Sequence, residues 1–112
     1  MSDEELRRLM DAVSADFRAV LPARIATVDA LWDQVLRGEN AVQGMQELIR
    51  AVHALAGSAE TFGCAGVGRA AAAAESVLEP HRDGGMPAEA ARTEIACRLK
   101  ALRQAARAEG RG

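Results

Sequence analysis

Residues 41–63 read AVQGMQELIRAVHALAGSAETFG. Apolar side chains fall at Val42, Met45, Leu48, Ile49, Val52, Leu55, Ala56, Ala59 and Phe62, the three- and four-residue spacing of an amphipathic helix. Gly63 breaks the run. With a turn of ~100° per residue and Val52 at the stripe's centre, Met45 and the residues from Leu48 onward lie within about 80° on either side. His53 lies at about 100°, just past the edge, so its imidazole is expected to be packed at the base and open to water at the tip. Gly57 follows one turn later on the same outer face. A mid-helix glycine costs about 0.5–1 kcal/mol relative to alanine, so its use in an alanine-rich chain calls for a reason. A missing side chain beside His53 leaves room for another molecule to reach the ring. Gln46 and Glu60, about two turns away in opposite directions, and Arg50, three residues before, complete the polar surroundings. From these residues alone, His53 is either a half-exposed edge residue or a presented one, and Gly57 either an access gap or a helix contact.

The rest of the chain repeats the helical period. Ser2 and Glu5 form a capping-box pattern before Leu6, Leu9, Met10, Val13, Phe17 and Val20. Pro22 predicts a break or kink near 20–22, because an interior proline removes a backbone hydrogen bond and clashes with the preceding turn. The stripe resumes at Ile25, Val28, Trp32, Val35 and Leu36; Gly38 is the expected stop and Asn40 the next N-cap. After Gly63 come Val67, Ala70, Ala74, Val77 and Leu78, then the loop PHRDGGMP. Pro87 is expected to open a last helix with Ile95, Leu99, Leu102 and Ala106. Alanine is the commonest residue and there is no tyrosine, which favours helices over strands. The expectation is one domain, 1–112: an all-α antiparallel four-helix bundle with its core at about 14–106, a leading helical segment at 3–20 and a frayed tail at 108–112.

With 112 residues, 49% hydrophobic and 27% charged, the composition is globular, and a net charge of −2 offers no basic stripe for nucleic acid. No run approaches the ~20 apolar residues of a membrane span, and the acidic N-terminus has no apolar leader, so a cytoplasmic location is expected. Two histidines and two cysteines, Cys64 and Cys97, are scattered without metal-ligand spacing, so no metal site is expected on the chain. His81 reads as a solvated loop residue, and Cys64 as a small packed one.

The stretch HALAGSAETFGCAGVGRAAAAAE resembles the signature of histidine-containing phosphotransfer (HPt) domains: a helix bearing His, Gly four positions later followed by small residues, and a second Gly near the helix end. His53, Gly57, Ser58, Ala59 and Gly63 fall in register. LPARIATVDALWDQV looks like the family's opening bundle helix, and the resemblance spans about 14–106. It implies a phosphoryl carrier rather than an enzyme in its own right. His53 would take the group from a receiver-domain aspartate and pass it to another receiver in a two-component phosphorelay. It also implies receiver domains and a hybrid sensor histidine kinase as partners, with Mg²⁺ on the receiver and no cofactor here. Gln46, Ile49, Arg50, Ala56, Gly57 and Glu60 are the expected docking residues. The family commonly has Lys three residues after the His; here Ala56 stands there, and Arg50 is expected to supply part of that charge. The other reading is a helical-bundle adaptor that docks to a receiver or kinase without being phosphorylated.

Overall fold

The computed structural model describes the backbone of residues 1–111 and the side chains of residues 1–110. Four helices follow one another: α1 (Asp3–Leu36), α2 (Ala41–Thr61), α3 (Ala65–Leu78) and α4 (Glu89–Arg111), with a single 3₁₀ turn at Glu79–His81. Each helix packs on its neighbours in the chain and α4 closes on α1, so the four surround one core. The core is apolar throughout. Phe17, Leu21, Ile25, Val28, Trp32 and Val35 enter from α1; Met45, Leu48, Ile49, Val52, Leu55 and Ala59 from α2. Val67, Ala71, Ala74 and Leu78 enter from α3 and Ile95, Leu99 and Leu102 from α4.

Two glycines end helices by the same device. Gly38 (φ 73°) donates to the Val35 carbonyl while Glu39 donates to Gln34; Gly63 (φ 83°) donates to Glu60 while Cys64 donates to Ala59. These paired bonds satisfy the last carbonyls of α1 and α2 and need a left-handed residue that only glycine adopts without steric cost. Ser2 caps α1 as expected, its hydroxyl accepting from the Glu5 N–H at 3.1 Å. Asn40 does occupy the N-cap of α2, but in a left-handed conformation and without a side-chain capping bond. Pro87 lies two residues ahead of α4, not at its first position. Ala88 takes the cap, its carbonyl accepting from the Arg92 N–H, while the Pro87 carbonyl binds the Arg92 guanidinium at 2.9 Å.

The break expected at Pro22 does not occur: α1 runs through it as one helix of 34 residues. Pro22 is on the exposed face, where the Arg18 carbonyl that loses its partner can bond water, and Leu21 and Ile25 hold the helix to the core on either side. The leading segment is therefore the first part of α1. A helix of that length measures about 51 Å, close to the molecule's longest extent of 53 Å, against 22 and 20 Å in the other directions. Of the apolar stripe expected at 3–20, only Phe17 is buried; Leu6, Leu9 and Met10 stay exposed on the part of α1 that precedes the core, Val20 is exposed beside it, and Leu21 fills the core in place of Val20. At the other terminus, the tail expected to fray is helical as far as Arg111. Half-buried Ala105 and Ala106 and the Arg18–Glu109 ion pair at 3.6 Å tie that end to the bundle. Gly112 lies outside the described residues.

Replacing Pro22 by alanine restores an N–H donor at an exposed helical position. The Pro22→Ala variant is expected to be more stable by about 1–3 kcal/mol; urea unfolding followed by circular dichroism measures it, and a destabilised variant would show that α1 needs the proline.

Candidate functional site

The seam between α2 and α3 sets the site. A Cβ placed on Gly68 would lie 3.4 Å from the Ala56 carbonyl oxygen and 3.5 Å from the Glu60 nitrogen, so the backbones approach closely there. In an antiparallel pair, moving two turns back along α2 from Glu60 reaches His53, and moving two turns on along α3 from Gly68 reaches Glu75. The two side chains meet: His53 Nδ1 is 2.7 Å from Glu75 Oε2. A carboxylate only accepts, so Nδ1 carries a proton in this contact, and in the neutral ring the lone pair is then on Nε2. The His53 side chain is 74% exposed, whereas that of Glu75 is 26% exposed. The ring is thus presented to solvent and oriented from beneath.

His53 stands at the rim of a shallow depression lined also by Ile49, Arg50, Ala54, Glu75 and Arg82. Arg82 follows the 3₁₀ turn and is gripped by Glu79 through two bonds of 2.8 Å, from Nε and Nη2. That paired contact lowers the Glu79 carboxyl below its ordinary range and raises the Arg82 guanidinium further. Arg82's loop is anchored on α2: Gln46 Nε2 donates to Asp83 Oδ1 at 3.1 Å, and Gly85 packs on Ala41 and Val42.

The expected docking residues divide. Arg50 is exposed in the depression, and Ile49 is buried, at its floor. Gly57 is exposed, and a Cβ added there meets no atom within 4 Å, so the glycine is not there to let a neighbouring helix approach. Gln46 is half-buried and engaged with the Arg82 loop. Ala56 is partly buried and packed against the core. Glu60 is exposed but belongs to a different depression, with Ala65, Gly68, Arg69 and Ala72. Sequence spacing had left Glu60 as the lone acid near His53; the structure puts Glu75 there instead. The sequence did contain a signal for this: with a tight turn at Gly63, residues about equally far before and after it face each other across α2 and α3, which pairs 53 with about 73–75.

Elsewhere, Cys64 is buried, and its thiol is pushed up chiefly by that burial and then by the charge of Glu109, so it is not a reactive thiolate. Among the described residues, no group of three or more His, Cys, Asp or Glu is gathered to hold a metal, and no helix is long and apolar enough to cross a membrane.

The family model of the Hpt domain matches residues 4–109, nearly the whole chain. The chain belongs to the Hpt domain family. None of the curated proteins and none of the solved structures compared with it matches. Membership makes it a histidine phosphotransfer module of phosphorelay systems, whose partners are receiver domains and kinases.

Because nothing touches a Cβ at Gly57, Gly57→Ala is expected to stabilise the fold by about 0.5–1 kcal/mol through helix propensity alone. A lower denaturation midpoint in urea would reveal a contact that the open surface lacks.

Proposed function

We propose that His53 is the phosphoacceptor, taking a phosphoryl group from an aspartyl phosphate on a receiver and yielding it to another receiver. The observation that carries this reading is the exposed imidazole with Nδ1 bonded to Glu75 and Gly57 open beside it. The Nε2 lone pair attacks phosphorus, the N–P bond forms, and the P–O bond to the aspartate breaks with its electron pair returning to the carboxylate. No proton need move. The proton on Nδ1 stays, the ring becomes a phosphoimidazolium, and Glu75 faces the positive charge that develops. Glu75 acts through the ring, as a positioning residue. The phosphoryl step itself depends on in-line placement and on neutralising the transferring oxygens, which a receiver's own Mg²⁺ is expected to supply. The chain is then a carrier whose chemistry is completed by its partner. Docking centres on His53, Arg50, Ala54 and Gly57 and is transient, since the group must move on.

Incubation with a phosphorylated receiver is expected to place an acid-labile, base-stable label on the wild-type chain and none on His53→Gln. Binding without label would leave the adaptor reading in its place. Glu75→Ala frees the ring to rotate and change tautomer and is expected to slow transfer by about ten- to a hundredfold, with the label still on His53. Gly57→Leu is expected to remain folded by circular dichroism yet transfer poorly; transfer at the parental rate would mean that the gap at Gly57 is not the approach route.

A further inference from the structure

We propose that Arg82 is the cation that holds the phosphoryl group once it is on His53, exchanging its bond to Glu79 for bonds to the phosphoryl oxygens. This rests on His53 being the phosphoacceptor. A phosphorylated ring brings three strongly accepting oxygens and close to two negative charges to a rim where Glu75 already stands. Those oxygens need donors. The depression at His53 carries two guanidinium groups, Arg50 and Arg82. Arg50 shares a helix with His53, one turn back, and makes no ion pair among the described residues. Arg82 reaches the same depression from a separate element that is fixed to α2 by the Gln46–Asp83 bond and by the packing of Gly85 on Ala41 and Val42.

The charges around the rim come from every element that meets there: Arg50 from α2, Glu75 from α3, Glu79 from the 3₁₀ turn, and Arg82 and Asp83 from the loop after it. Without phosphate, Glu79 parks the Arg82 fork in a planar two-bond grip, the geometry that a phosphoryl group also satisfies. Both partners are well exposed, with side-chain exposures of 41% and 49%, so water screens their pairing and opens it readily. The phosphoryl group, with more charge than a carboxylate, competes for the same fork. Asp83, beside Arg82 in the chain, makes its one side-chain bond to Gln46 and none to the guanidinium.

The test measures transfer between the chain and a receiver that labels it, with forward and reverse rates taken separately so that their ratio gives the equilibrium constant. A residue that only helps docking changes both rates together and leaves that ratio alone; one that binds the phosphoryl group moves it. Arg82→Met is expected to shift the ratio about three- to tenfold toward the phosphorylated receiver. Arg82→Lys should recover part of the shift, and Glu79→Gln, which removes the competing carboxylate, should move the ratio toward phosphorylated His53. Circular dichroism melts check that each variant is folded. A ratio unchanged in Arg82→Met, with the wild type and the variant both labelled at His53, overturns the role of Arg82 alone. No label on the wild-type chain overturns it together with the phosphoacceptor reading.

Discussion

The close approach of α2 and α3 at Gly68 is the constraint on which the site depends. Two helices whose backbones nearly touch cannot slide or rotate past each other without forcing atoms together, and the glycine turn at Gly63 leaves no slack between them. Their register follows, and with it the pairing of His53 and Glu75 two turns away. The alanines of α3 serve the same end. Ala71 and Ala74 are fully buried, and larger side chains there would thicken the seam and pull the carboxylate away from the ring.

That geometry separates two tasks that usually conflict. The core contains no buried polar or charged side chain among the described residues, so its stability does not rest on satisfying hydrogen bonds in the interior. Every group given a chemical role stands at the surface, where desolvation costs little. Glu75 is the intermediate case. At 26% exposure it is shielded enough to keep its bond to Nδ1 against competing water. An acid fully sunk in the seam would tend to hold a proton and lose its grip on the ring's tautomer.

Much of this was legible in the chain. Period and punctuation gave the helices, and the edge position of His53 and the oddity of Gly57 were both readable from angles on a single helix. What needed a second helix was not. Glu75 lies 22 residues from His53 and belongs to its surroundings only through the α2–α3 register. Arg82 sits in a loop whose composition reads as solvent-facing, and only the anchoring by Gln46 and Gly85 brings it to the rim. Ala56, expected on the docking face, is partly buried against the core, in keeping with its angle inside the apolar stripe. The break expected at Pro22 is a different case. The local penalty for an interior proline was real, but an exposed carbonyl can be solvated, and buried Leu21 and Ile25 on either side outweigh one missing bond.

The missing lysine and the two arginines bear on one question. A cation three residues after His53 would rise from the same helix as the ring, at a position where Ala56 is partly buried against the core and the backbones of α2 and α3 approach closely. The alanine there is small and carries no charge. Under the proposed function, positive charge for the phosphoryl group comes from two other flanks, the outer face of α2, which holds Arg50, and the loop beyond α3, which holds Arg82. The α2–α3 register sets the ring from one side, and the loop anchored on α2 brings Arg82 to the same rim from the other.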